Sequence, residues 1–187
     1  MRPTRRSPPA RSGRFDMTNL EHAKKYASNG WAVFPVHGVI DGRCTCGNPG
    51  CTSQGKHPIH SGGFNIATTD IEQIESWWRA TPHANIGIAT GRCSGLLVVD
   101  IDVGDGKDGF ASLNAIEAEF GKLPQSLRAR TGSGGLHIYL QMPDQPLKCS
   151  AGKLAPAIDI RADGGYVVAP PSTHISGKTY EWENPNE

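Results

Sequence analysis

Two aspartates, Asp100 and Asp102, stand at the end of the apolar run Leu96-Leu97-Val98-Val99. In a β-strand, residues i and i+2 share a face, so both carboxylates aim at one point. Like charges that close do not both ionise cheaply unless a cation lies between them. The pair therefore points to Mg²⁺ or Mn²⁺, hard cations that take oxygen ligands. Asp159 lies in a second apolar context, Ala157-Ile158-Asp159-Ile160, and offers a third carboxylate. The competing reading is a solvated acidic turn, because Gly104, Asp105, Gly106 and Asp108 follow directly.

Between these stations runs Thr131-Gly132-Ser133-Gly134-Gly135-Leu136-His137. Glycines let backbone N–H groups approach an anion, Ser133 adds a hydroxyl, and His137 adds a ring donor for a phosphate oxygen. Arg128 and Arg130, at period two on the preceding strand-like run, are expected to reach the same anion. The same residues also suit an ordinary hairpin turn. No Gly-Lys-Ser/Thr follows, so the turn is not a P-loop.

A third cluster, Cys44, Cys46, Cys51 and His57, crowds three thiols and an imidazole into one short loop. That spacing is poor for mutual disulfides and good for zinc, which prefers four N or S ligands in a tetrahedron. His37 and His60 are alternative fourth ligands. Such a set leaves no open position, so the zinc is expected to be structural, in a loop at about 41–60. Lys56 beside it is either a phosphate contact or a solvated lysine. Cys93 and Cys149 read as free thiols in a reducing, cytoplasmic setting.

The elements that must position these groups follow from pattern. The chain has 187 residues with 23 glycines and 14 prolines, suiting one loop-rich domain over 17–187. Residues 1–16 carry five arginines against one aspartate and read as a disordered leader, net +4. The remaining 14 bases face 17 acids, net −3, which excludes a globally basic nucleic-acid binder. No apolar run approaches the roughly 18 residues that would span a membrane. Helices are expected at 18–29, capped by Thr18 or Asn19, at 71–79 behind Asp70, and at 108–120. Ile71, Ile74, Trp77 and Trp78 are expected to face the core from the second. Phe110, Leu113, Ile116 and Phe120 share one face of the third. Strands are expected at 31–36, 85–89, 96–102, 127–131, 136–142, 157–161, 165–168 and 178–182, without regular βαβ alternation. Residues 37–64 form a long loop that a metal would hold.

The ordered set Gly30-Trp-Ala-Val-Phe-Pro-Val36, Gly55-Lys-His-Pro58, Leu97-Val-Val-Asp-Ile-Asp102, Gly135-Leu-His137 and Ile158-Asp-Ile-Arg161 resembles the bifunctional DNA primase/polymerase N-terminal domain of the archaeo-eukaryotic primase superfamily. The resemblance covers roughly residues 18–184. It implies an α+β fold: an RNA-recognition-motif-like mixed sheet with flanking helices, plus an N-terminal α/β unit and a zinc-binding loop. It implies template-directed nucleotidyl transfer with Asp100, Asp102 and Asp159 holding Mg²⁺ or Mn²⁺. His137, Ser133, Gly134 and Gly135 would bind the triphosphate, with Arg130, Arg161 and Lys56 as helpers. Arg161 shares a strand face with Asp159, and a salt bridge between them is the simpler alternative. The family commonly has serine where Gly135 stands, which leaves Ser133 to supply that hydroxyl. Implied partners are single-stranded DNA template, primer and nucleoside triphosphates, in phage- or plasmid-type replication, with a helicase in a longer parent protein.

Two other classes compete. A replication-origin nuclease would want a His-apolar-His pair, and His137-Ile138-Tyr139 lacks the second histidine. A catalytically inactive zinc-bearing DNA-binding module would not need the carboxylates.

Overall fold

The computed structural model describes residues 17–183. The Arg-rich leader expected at 1–16 lies outside the described residues. Helix α1 (Asn19–Ser28) opens on a capping box: Thr18 Oγ1 accepts from Glu21 N–H, and the Glu21 carboxylate accepts from Thr18 N–H at 2.6 Å. Strands β1 (Val33–Val36), β2 (Val39–Ile40) and β3 (Arg43–Cys44) follow, then a 3₁₀ turn (Gly63–Ile66). Helix α2 (Ile71–Ala80) starts where the Asp70 carboxylate accepts from Glu72 and Gln73 N–H. Next come β4 (Asn85–Ala89), β5 (Leu96–Ile101) and the small hairpin β6 (Val103–Gly104) and β7 (Lys107–Asp108). Asp108 caps α3 (Gly109–Phe120). The chain continues through β8 (Arg128–Arg130), β9 (Leu136–Gln141), β10 (Ser150–Ala155), β11 (Ile158–Arg161), β12 (Tyr166–Ala169) and β13 (Glu181–Trp182).

The fold is the expected α+β arrangement. A six-stranded antiparallel sheet has the order β10-β11-β5-β9-β8-β13, and a three-stranded sheet has the order β1-β4-β12. Strand alternation sorts the large sheet into two faces. Val99, Ile101, Leu136, Ile138 and Ile158 pack with Leu113 of α3. Leu96, Val98, Ala129 and Tyr139 pack with α1, α2 and the small sheet. Asp100 continues this second row, so it emerges on the face that meets the N-terminal unit rather than beneath α3.

Two expected core positions are exposed. Phe120 is 76% exposed and Ile71 36%. Each is the terminal residue of its helix, beyond the turns that pack. Strand β10 has no apolar alternation to announce it. It is a mostly exposed edge strand whose pairing with β11 shifts register between Ala151 and Ala155. The expected strand at 178–182 is shorter, confined to β13, and the loop at 37–64 contains the β2–β3 hairpin.

Candidate functional site

Antiparallel register builds the site as a row across the large sheet. Asp159 on β11 stands opposite Asp100 on β5, and Asp100 stands opposite His137 on β9. Asp102 follows β5 by one residue, fixed by its N–H donating to the Ala157 carbonyl at 2.9 Å. Asp100, Asp102, Asp159, His137, Arg161 and Ser133 line one cavity of about 580 Å³. Lys56 reaches it from the cysteine loop, and Tyr166 and Tyr180 reach it from C-terminal segments.

Carboxylates directly opposite on neighbouring strands repel. Here Arg161 bridges them, with Nη2 3.2 Å from Asp100 Oδ2 and 2.8 Å from Asp159 Oδ2. The other oxygen of Asp159 accepts from Gly152 N–H of the β10 bulge at 3.0 Å. His137 Nε2 lies 3.4 Å from Asp100 Oδ1, while its buried Nδ1 has no hydrogen-bond partner. Burial pushes the Asp100 carboxyl up, but His137 and Arg161 outweigh it and hold the group below the ordinary carboxylate range. Lys107, in the β6–β7 hairpin, donates to Asp102 Oδ2 at 2.8 Å, and this bond and the Asp102 charge raise its own pKa. Arg161 and Lys107 thus pair with all three carboxylates, two cations against three anions.

The donor set fits a divalent cation. It is hard and oxygen-rich, and the register itself demands positive charge between Asp100 and Asp159. The three carboxylates do not close into a tight cage. Mg²⁺ does not need one, since it keeps waters and commonly uses one or two carboxylates plus substrate phosphates.

The glycine-rich turn divides. Ser133 and Thr131 line the cavity, and their hydroxyls are 2.9 Å apart. Gly134 and Gly135 do not line it. Gly134 has φ +97° and its N–H donates to the Thr131 carbonyl at 2.9 Å, so it serves the turn rather than an anion. A Cβ on Gly135 would lie 2.2 Å from the Ile101 carbonyl oxygen. The serine common in this position has no room here, and Ser133 presents the hydroxyl instead.

Arg130 is not brought to the cavity. It pairs in register with Leu136, and Arg128 with Ile138, whose side chains face α3. Only Ala129 shares a face with His137. Arg130 Nη2 donates to Glu183 at 2.6 Å. Lys107, Tyr166 and Tyr180 were not legible as site residues, because none carries a local signal of the cavity; Thr131, which opens the glycine-rich turn, also lines it.

The cysteine loop closes as its spacing suggests. Ligand atoms of Cys44, Cys46, Cys51 and His57 all lie within 4.8 Å of one another, the one such group among the described residues. A tetrahedral zinc with Zn–S of about 2.3 Å and Zn–N of about 2.0 Å sets an S···N edge near 3.5 Å. Cys44 Sγ and His57 Nε2 are 3.6 Å apart, so the set fits zinc. The Asn48 backbone N–H holds the Cys46 thiol below its ordinary range, which favours the ligating thiolate. His37 instead hydrogen-bonds Thr45 through Nδ1, and His60 packs beside Trp77. Cys93 is exposed, whereas Cys149 lies at the cavity with its sulfur accepting from Ala162 N–H at 3.2 Å.

The site thus lies in a mixed α+β domain with opposed carboxylates on the large sheet and a Cys₃His loop that could hold zinc. The chain belongs to the bifunctional DNA primase/polymerase family, whose N-terminal-domain model matches residues 23–187. No curated protein was found to match it. The family implies DNA primase/polymerase activity in replication, with DNA and nucleotides as substrates. Among the described residues, no helix is long and apolar enough to cross a membrane.

Proposed function

We propose that residues 17–187 form one catalytic domain performing template-directed nucleotidyl transfer, both primer synthesis and extension, in phage- or plasmid-type replication. The observation that supports it best is the Asp159–Asp100–His137 row, with Asp102 beside it, at the floor of one cavity. Asp100, Asp102 and Asp159 would hold Mg²⁺ or Mn²⁺. When bound, the divalent ions would neutralise the charge that develops on the transferred and leaving phosphates. His137 orients Asp100, and the Gly152 N–H orients Asp159. Arg161, Lys107 and Lys56 supply positive charge around the triphosphate, and Ser133 a hydroxyl donor. The chemistry needs positioning and charge neutralisation and no covalent protein intermediate. The setting is the cytoplasm, with single-stranded template and primer as partners and a helicase in a longer parent protein.

The test is incorporation of labelled nucleotides with Mg²⁺ or Mn²⁺, on template with and without annealed primer. Wild type should extend the primer and initiate on bare template. Asp100→Ala/Asp102→Ala should abolish both while retaining the folded circular-dichroism spectrum. Incorporation by the double variant would refute the assignment. A folded wild type inert with either metal would favour the DNA-binding module.

A further inference from the structure

The cysteine loop is tied to the catalytic cavity at three consecutive residues. Gly55 N–H donates to Cys44 Sγ at 3.4 Å, and its carbonyl accepts from buried Asn85 Nδ2 at 2.9 Å. The Lys56 carbonyl accepts from the Tyr166 hydroxyl at 3.0 Å. His57 is a candidate zinc ligand, and its carbonyl accepts from His37 N–H at 2.8 Å. Lys56, which lines the cavity, therefore sits between two residues tied to the cysteine cluster. Asn85 extends the tie: its amide also binds Thr173 through both N–H and carbonyl, at 2.9 and 2.8 Å. The next residue, His174, packs on Gly132, where a Cβ would lie 2.1 Å from His174 Cβ. Ser176 Oγ then donates to the Gly132 carbonyl at 2.8 Å, beside Ser133.

Between residues 41 and 60 only Cys44 and Gly55 are buried, so the loop rests on these hydrogen bonds, the β2–β3 hairpin and, when metal is bound, the Cys44, Cys46, Cys51 and His57 cluster. A lysine held by its backbone reaches a phosphate at lower entropic cost than one on a floppy loop.

We propose that the zinc loop is a positioning device for nucleotide binding: metal at Cys44, Cys46, Cys51 and His57 fixes Lys56, whose ammonium contacts the triphosphate in the carboxylate cavity. The proposal rests on the nucleotidyl-transfer reading above. The loop then serves the incoming nucleotide rather than gripping DNA.

The test measures equilibrium binding of a deoxynucleoside triphosphate with Mg²⁺ by calorimetry, and of single-stranded DNA by anisotropy. Lys56→Gln should weaken triphosphate binding about tenfold, the scale of one charge-assisted hydrogen bond. Cys44→Ser/Cys51→Ser should lose zinc and weaken it to the same extent, with no further loss when combined with Lys56→Gln. Tyr166→Phe should keep its zinc and weaken binding about threefold, an effect that vanishes in the Lys56→Gln background. DNA affinity should stay within about twofold throughout. If the cysteine variant fails to fold, the Tyr166/Lys56 cycle decides alone. Additive losses in that cycle, or a zinc-free protein that binds triphosphate normally and loses DNA, would overturn the proposal. A wild type that binds no triphosphate would overturn the catalytic reading and this proposal with it.

Discussion

Replacing Arg161 by glutamine removes the guanidinium that bridges Asp100 and Asp159 across adjacent strands, at 3.2 and 2.8 Å. Breaking a fully buried pair costs about 3–5 kcal/mol, because the remaining charge is left uncompensated. The side chain of Arg161 is 35% exposed, so water screens part of this and roughly 1–3 kcal/mol is expected at neutral pH. For a chain of this size that lowers Tm by roughly 2–12 °C. The loss has a definite pH dependence. Asp100 is faced by Asp159 and Arg161 from one strand, His137 from the other, and Asp102 beyond the strand end. In the wild type its pKa is depressed, so its contribution is present above the unfolded value near 4 and fades as pH falls through the folded value. Without Arg161, burial and the Asp159 charge are opposed by His137 alone, and the pKa of Asp100 rises. The stability that the depressed Asp100 contributes above pH 4 is reduced in the variant by that rise. The gap between the two proteins should therefore be open from pH 4 to pH 7 and close as pH falls below 4 through the wild type's folded value. Added Mg²⁺ or Mn²⁺ replaces the missing cation, so it should raise the variant's Tm more than the wild type's. Thermal unfolding across pH 2–7, with and without added divalent metal at the neutral end, reads both effects. A pH-independent gap, or equal metal-induced shifts in the two proteins, would refute the reasoning.

Three further outcomes are expected. Metal analysis should find zinc in the wild type and its loss in Cys44→Ser/Cys51→Ser; a wild type without zinc, or unchanged content in the variant, would refute the site. Gly135→Ser should destabilise by about 1–3 kcal/mol without improving nucleotide affinity, since its Cβ meets the Ile101 carbonyl at 2.2 Å. A stable variant with tighter binding would show that the turn has room after all. Arg130→Gln should leave the nucleotide KM unchanged, because Arg130 faces away from the carboxylates and pairs with Glu183; a several-fold rise in KM would contradict that placement.

Much of the local structure was legible. Thr18 and Asp70 cap the helices their spacing announces, while Asp108, expected as the first residue of the third helix, is its cap. The expected strand at 96–102 is β5, Leu96–Ile101, a short β-branched apolar run buried between the two faces of the sheet. The Cys₃His group closes because its ligands are near in sequence, where the loop alone limits their separation. Strand β10 was not legible, since an exposed edge strand has no apolar period. Lys107, Tyr166 and Tyr180 carried no local signal of a shared cavity.

By itself the sequence determined that Asp100 and Asp102 share a face, that Asp159 and Arg161 share another strand's face, and that Cys44, Cys46, Cys51 and His57 can meet. These are short-range facts, set by the two-residue period of a strand and the reach of a short loop. Tertiary structure alone decided which faces coincide. Pairing β5 with β9 and β11 placed His137 and Asp159 on either side of Asp100. Pairing β8 with β9 turned Arg128 and Arg130 to the opposite face, where a shift of one residue would have brought them into the cavity. Register is fixed by which apolar row each strand buries against α3 and against α1, and that choice belongs to the packed whole.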